Sequence, residues 1–295
     1  MTLPLALPTE LGRARAKINL TLHVGRAIGD GRYKGYHPLD SLVVFADVGD
    51  YLTYNSNADD LSLGISGPFG GGLQPDHDNL ILKAARAFFE HYDVTPKGHF
   101  HLEKNLPLAS GIGGGSADAA AALRLLAHEF NVDKEGLMEL SEMIGADVPV
   151  CYRSETSRMK GIGEIVDAMP KLGRVPALLV NPGFAVSTPV IFKAFDGQAR
   201  AVTPTPQIEG RDLLTISQAG QNDLEDIAIS LRPEIDHLIK KLAQLDGCQL
   251  SRMSGSGATC FAIFETMEQA ISGREIIAQD HTDYWSVATY FGDEV

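Results

Sequence analysis

The residues best suited to chemistry in this 295-residue chain sit in short stretches far apart in sequence. One is PLASGIGGGSADAAAALRLL, Pro107 to Leu126, in which four glycines and two serines run directly into an alanine-rich segment. Glycine loses much backbone entropy on folding and is kept where a chain turns sharply or approaches a ligand closely. A glycine turn feeding a helix start brings its N–H groups and the positive end of the helix dipole to one point, which suits a di- or triphosphate. A tight turn with close helix packing uses the same residues, and on this stretch alone the two readings weigh evenly. A Walker A loop fails because no lysine follows the glycines. A dinucleotide fingerprint starting at Gly111 meets Ser116 where its last glycine belongs.

Two further stretches tip the balance. GADVPVCY puts Asp147 after a helix-ending glycine and before Val148-Pro149, at a junction where a carboxylate can face a cleft or simply cap a turn. AKINLTL puts Lys17 inside an apolar strand, where an ammonium must snorkel or meet an anion. Phosphoryl transfer needs a phosphate cradle, a carboxylate near the accepting hydroxyl and a cation for the developing charge. The chain offers one candidate for each. The His99-x-His101 pair has metal-ligand chemistry, but GHFHLEK alternates like a strand, which places both rings on one solvated face.

The length suits two ordinary domains, and 44% hydrophobic residues are ample for their cores. A formal net charge of −13 argues against nucleic acid or anionic lipid as a general partner, while leaving room for a local anion site built from backbone amides. The apolar runs SLVVFA and VPALLV are far short of the ~20 residues a membrane helix needs. MTLPLALPTELGR has no basic region followed by a long apolar core, so no secretory leader is expected. Three widely spaced cysteines, Cys151, Cys248 and Cys260, speak against a disulfide framework or a zinc site and for a reducing cytosol, hence a cytoplasmic protein.

The pattern predicts strands in RARAKINLTLHVG, SLVVFADVGDYLTYN and GHFHLEKN, with a glycine-punctuated loop RAIGDGRYKGYHP after the first. Helices are expected from Asp78 as N-cap through NLILKAARAFFEHY, from about Ser116 or Asp118 to Phe130, and over DKEGLMELSEMIG to Gly145. Short strands and turns follow from Ser157. AVSTPVIFKAF then starts a helix with Ser187 or Thr188 as cap and Pro189 at the first position. EIDHLIKKLAQLDG and ETMEQAISGREIIAQ read as helices, CQLSRMSGSGATCFAIF as a glycine turn feeding a buried strand, and YWSVATYFG as a last strand. Without a regular βαβ repeat the class is α+β, with a domain boundary near residue 165.

AKINL, PLASGIGGGSADAA, GADVPV and RMSGSGATCFAIF together resemble the GHMP superfamily of small-molecule kinases, over about residues 14 to 264. GYHPLDSL, HDNLILKAAR, GADVPV and STPVIFKAF resemble the branch that acts on a cytidine diphosphate-linked polyol. The resemblance implies a two-domain GHMP kinase fold, residues 1–165 binding ATP and 166–295 forming the C-terminal domain, with the active site in the cleft between them. The implied activity is ATP-dependent phosphorylation of the 2-hydroxyl of 4-diphosphocytidyl-2-C-methyl-D-erythritol in non-mevalonate isoprenoid synthesis. The alternatives are another GHMP substrate such as homoserine or a mevalonate-like alcohol, a nicotinamide-dependent oxidoreductase, or a silent nucleotide-binding module.

By the same resemblance the ATP phosphate loop runs from Pro107, Leu108 and Ala109 through Ser110, Gly111, Ile112 and Gly113 to Gly114, Gly115, Ser116 and Ala117. Asn79 and Lys104 match positions near the adenine, and Ser116 is the hydroxyl nearest to Mg²⁺ or a β-phosphate oxygen. Asp147 matches the general base and Lys17 the lysine beside it. Tyr36 and Phe192 match two aromatics that sandwich the cytosine, His37 the reader of its edge, and Asn19 a residue at the hydroxyl-bearing end. Arg252–Gly257 is expected to form a second glycine turn facing the first. The chain departs from the family in its longer loop Arg32–Lys34, in Val43 where an aromatic is common, and in one serine after the loop glycines where two are usual. The partners implied are a small cytidine diphosphate-linked substrate, no nucleic acid and no membrane, in a monomer or homodimer.

Overall fold

The structure, a computed structural model, describes residues 9–133, 136–195, 202, 204–205 and 210–294. Most of MTLPLALPTELGR, residues 1–8, and the expected helix start at Lys134 and Glu135 lie outside the described residues. Two compact units emerge, each assembled from separated segments: 1–16, 49–108 and 113–154 in the first, and 17–48, 109–112 and 155–295 in the second. Strand β1 (Arg13–Asn19) and the 17-residue β3 (Leu39–Asn55) each start in one unit and end in the other.

In the first unit, β4 (Ser62–Ser66) pairs in parallel with β5 (His99–Glu103), and β5 pairs antiparallel with the last residues of β3, Tyr51 opposite Glu103. A parallel pair needs a long crossover, which helix α1 (Leu80–His91) supplies. Its apolar residues recur at helical spacing, so Ile81, Ala84, Ala85 and Phe88 share a buried face. Asn79, rather than the expected Asp78, caps α1 by accepting from the Ile81 N–H at 3.0 Å; Asp78 instead pairs with Lys83 at 3.1 Å. Helix α2 (Gly114–Glu129) carries Ala117 and Ala119–Ala122, all buried, and small side chains let α1 pack closely. Helices α3 (Leu137–Ile144) and α4 (Val148–Arg153) complete this layer. On β5 the alternation holds: Phe100 and Leu102 are fully buried, while His99 and His101 on the other face meet the hydroxyls of Ser62 and Ser66, each at 2.9 Å.

The second unit joins β2 (His23–Val24), the first part of β3, β6 (Ser157–Gly161) and β7 (Ile165–Ala168) as antiparallel neighbours. Beyond them β8 (Arg174–Asn181), β9 (Cys248–Met253), β10 (Cys260–Phe264) and β11 (Trp285–Gly292) align antiparallel in the order β9-β10-β8-β11. All five residues of β10 are buried, as its unbroken apolar run requires. Helices α5 (Thr188–Phe195), α6 (Leu213–Ala219), α7 (Glu225–Leu231), α8 (Glu234–Ala243) and α9 (Met267–Asp280) cover these strands. Ser187 is the cap of α5, accepting from the Ile191 N–H at 3.1 Å, so Pro189 falls at the second helical position and not the first. β4, α4, α6 and α7 went unanticipated, because elements of five to seven residues show too few periods to be read. Among the described residues no helix is long and apolar enough to cross a membrane.

The first unit's core turns on Phe88, fully buried, its ring 4.7 Å from Tyr92 and 5.8–5.9 Å from Phe89 and Phe130. Phe88→Ala is expected to cost ~3–5 kcal/mol, the range for deleting a core aromatic. Denaturant unfolding followed by circular dichroism measures it, and a loss below ~1 kcal/mol would show a core that collapses around the cavity.

Candidate active site

The middle of the sequence-predicted phosphate loop is held in the second unit by the turn between β9 and β10. Gly111 has φ +77, and a Cβ there would lie 2.6 Å from the Gly257 carbonyl oxygen and 2.7 Å from that of Ser254. The contact is mutual, since a Cβ on Gly255 (φ +57) would sit 2.6 Å from the Gly111 oxygen. No side chain fits at either place, so the glycines here serve close backbone approach. Three successive carbonyls of the loop are taken by protein donors: Ser110 by the Thr259 N–H (3.1 Å), Gly111 by the Ser254 hydroxyl (3.3 Å) and Ile112 by the Lys17 N–H (2.9 Å). Committing the carbonyls fixes the peptide planes. Asn222 braces the facing turn, its amide donating to Met253 O (2.9 Å) and Gly255 O (2.8 Å), and the Arg252 guanidinium donates to the carbonyls of Leu20, Ser217 and Gly220.

Lys17 and Asn19 lie on β1 at the edge of this interlock, both buried. The Asn19 N–H donates to the Ser254 hydroxyl at 3.2 Å, so one serine touches both the strand and the loop. His37 is buried, and its Nδ1 meets the Gly25 carbonyl at 2.9 Å, which makes Nδ1 a hydrogen-bond donor. Its ring stands 5.0 Å from that of Phe192 on α5. The unit thus gathers His37 and Phe192, while Tyr36 is 55% exposed and meets only the edge of Tyr33, 6.4 Å away, among the described ring contacts. The longer loop therefore supplies Tyr33 as a neighbour to Tyr36, and Arg32 stacks over Tyr33 in turn at 5.3 Å. Val43 is fully buried within β3 and contributes to the core.

The first unit holds the ends of the loop. Pro107 and Leu108 lead in, and α2 starts after Gly113, whose left-handed φ of +67 turns the chain into the helix. Gly114, Gly115 and Ser116 open the first turn with N–H groups that have no partner within the helix by construction, while the Ala117 N–H donates to the Gly113 carbonyl at 2.9 Å. Asp147 occupies the N-cap position of α4, and its side chain makes no capping hydrogen bond. Asn79 and Lys104 both have structural occupations. The Asn79 carboxamide caps α1 and donates to Gln74 O at 3.3 Å. The Lys104 ammonium is buried between Asp50 and Asp118, 2.6 Å from each.

That cluster straddles the loop. Asp50 also accepts from the N–H groups of Asn105 (2.6 Å) and Leu106 (2.8 Å), just before the loop, and Asp118 rises from α2 just after it. Burial pushes the Asp118 carboxyl up to about 8, with the Asp50 charge adding to the shift and the Lys104 ammonium opposing it. Burial works against the Lys104 charge too, but attraction to Asp118 and Asp50 outweighs it and holds its pKa above the ordinary value. Burial thus favours a proton on Asp118 beside the charged lysine, which lowers the net charge the cluster has to bury. Sequence reading placed Ser254 in the second glycine turn, Arg252–Gly257, without a role of its own, and overlooked Asp50 and Asn222, since nothing in their spacing distinguishes them from ordinary strand and turn residues.

Two measurements test this construction. Gly111→Ala should lower kcat/KM for ATP by at least about a hundredfold, because Cβ meets backbone and the required φ is left-handed. Asp118 binds its proton more tightly folded than unfolded. Its contribution to stability is therefore complete below the unfolded value near 4 and is lost as pH rises toward 8, at up to ~1.4 kcal/mol per pH unit. Asp118→Asn, which mimics the protonated acid, should remove that slope from denaturant unfolding measured between pH 5 and 8. Equal slopes in the two proteins would refute the protonated state.

Family models for the GHMP kinases N terminal domain and the GHMP kinases C terminal match residues 79–155 and 207–281. A protein of Dinoroseobacter shibae named 4-diphosphocytidyl-2-C-methyl-D-erythritol kinase is 45% identical over 285 residues, 94% of this chain and 93% of its own. Its namesake from Paracoccus denitrificans is 45% identical, covering 94% of each chain. A crystal structure of 4-(cytidine 5'-diphospho)-2C-methyl-D-erythritol kinase superposes with a TM-score of 0.77 at 28% identity, over 95% of this chain and 98% of the other. With two GHMP kinase domains, an α+β fold to match and near-complete coverage by these relatives, the chain is a kinase and belongs to the 4-diphosphocytidyl-2-C-methyl-D-erythritol kinase family of the GHMP superfamily.

Proposed function

We propose that the protein transfers the γ-phosphoryl group of ATP to the 2-hydroxyl of 4-diphosphocytidyl-2-C-methyl-D-erythritol. The observation that carries the reading is the interlocked pair of glycine turns around Gly111 and Gly255, whose fixed peptide planes suit a triphosphate cradle of backbone amides. Asp147 takes the hydroxyl proton as the oxygen–phosphorus bond forms, and the bond to the ADP oxygen breaks in line. Lys17 stabilises charge on the transferring group. Direct transfer is consistent with the absence of a competing nucleophile among the residues assigned here.

His37 and Phe192, already packed together, receive the cytosine, and Tyr36 closes on its other face; stacking of this kind contributes ~1–3 kcal/mol per base. Asn19 faces the polyol. Asn79 and Lys104 act near the adenine by shaping the wall, since their polar groups are engaged within the protein. A single hydroxyl, Ser116 in the first turn of α2, fits Mg²⁺ only as part of a set dominated by phosphate oxygens and water, which is the usual manner of that ion. Bound there, Mg²⁺ would neutralise phosphate charge. The reading further includes residues 1–165 as the ATP-binding portion and 166–295 as its C-terminal companion, cytoplasmic location, no nucleic acid partner, and a monomer or homodimer.

The test is ADP release from Mg·ATP with cytidylated methylerythritol, homoserine or mevalonate as acceptor. Turnover is expected with the first alone, and Asp147→Asn should reduce kcat by about 10²–10⁴-fold while ATP binding persists. An Asp147→Asn enzyme of undiminished kcat removes Asp147 from the role of base, and preference for another alcohol overturns the substrate.

A further inference from the structure

The carboxamide of Asn19 is oriented by a chain of hydrogen bonds whose protons can be counted. Its Nδ2 donates to the Ser41 hydroxyl at 2.8 Å, and that hydroxyl donates to the Thr21 carbonyl at 2.5 Å. A serine hydroxyl has one proton. With it committed to Thr21, the Ser41 oxygen can only accept, so the group facing it must be the NH₂ end of Asn19. The reversed amide would set two oxygens against each other. The backbone of Asn19 is pinned separately, through the Ser254 hydroxyl that also holds the Gly111 carbonyl. Both Asn19 and Ser41 are buried.

What this leaves is a buried acceptor. Asn19 Oδ1 has no hydrogen-bond partner among the described residues, an uncommon state for a buried polar atom. It lies beside the glycine turn, 3.4 Å from where a Cβ on Gly255 would stand. A donor of modest size is the missing partner, and a hydroxyl satisfies it.

We propose that Ser41 is a positioning residue for the reaction: it locks Asn19 with Oδ1 as the acceptor for one hydroxyl of the substrate's methylerythritol moiety. The assignment rests on the substrate reading above. Ser41 touches no substrate atom itself; it decides which end of Asn19 does. An acceptor in that place selects acceptor alcohols that present a donor there, and it disfavours analogues carrying an ether or a ketone at the same carbon.

The experiment compares wild type, Ser41→Ala and Ser41→Thr. Ser41→Ala should raise the KM for cytidylated methylerythritol about tenfold, the worth of one neutral hydrogen bond. The KM for ATP and the inhibition constant of cytidine 5'-diphosphate should stay within about twofold, and Ser41→Thr should restore the wild-type value. An unchanged KM, or one that rises together with the ATP and cytidine diphosphate constants, overturns the proposal, the second result marking general loosening. Should wild type fail to turn over this substrate at all, the substrate reading falls by itself. The orientation is then read by nitrogen-15 NMR on the side-chain NH₂ of Asn19, identified by its loss in Asn19→Asp. Slow exchange with water in wild type and fast exchange in Ser41→Ala support the lock; equal exchange refutes it.

Discussion

The arrangement depends on one steric fact: two backbone turns approach each other more closely than any side chain permits. Gly111 and Gly255 face the other turn at distances where a Cβ would overlap carbonyl oxygens, and the surrounding hydrogen bonds hold them there. The free energy for this closeness comes from elsewhere in the unit, from Arg252 tied to three carbonyls and Asn222 to two. A loop fixed in this way loses little entropy when a ligand binds, because its ordering has been met during folding.

A second anchor acts along the chain on either side of the same loop. Asp50 holds the two amides before it, and Lys104 links Asp50 to Asp118 after it. A buried cluster of two acids and one base would carry a negative charge close to the proposed phosphate loop if fully ionised, which opposes an anionic ligand. Retaining a proton on Asp118 avoids that repulsion while preserving the connection. The fold thus separates two tasks, with steric interlock shaping the middle of the loop and a buried ionic cluster fixing its ends.

Much of this was legible from sequence because it rests on composition. Gly111–Ser116, Lys17 in an apolar strand and Asp147 before Val148-Pro149 are conspicuous wherever they occur. The alternation of β5 and the amphipathic run of α1 exposed their own periods, with an error of one residue at the Asn79 cap. Other features are relations between residues distant in sequence, and no local pattern records them. Ser254 reaching Gly111 spans 143 positions and Asn19 reaching Ser254 spans 235. Lys104 reads as an ordinary strand-end cation until two acids, one of them 54 residues away, are seen to enclose it. The short helices α6 and α7 are a different case, since seven residues make two turns and two turns do not establish a period.

An acidic protein that binds a triphosphate faces long-range repulsion, here from a formal charge of −13. At physiological ionic strength that field is screened beyond ~8 Å, so affinity has to arise from groups in near contact. Amide dipoles act at that range only when directed, because their interaction changes sign with orientation in a way that a lysine's charge does not. On the proposed reading of this loop, committing the carbonyls of Ser110, Gly111 and Ile112 to protein donors matters more than adding positive residues. A basic cradle would draw polyanions of many kinds, whereas an ordered amide cradle in an acidic surround favours a ligand that can enter and match it. On that logic, selectivity for a nucleotide among cellular anions follows from the geometry of the turns and not from the balance of charged residues.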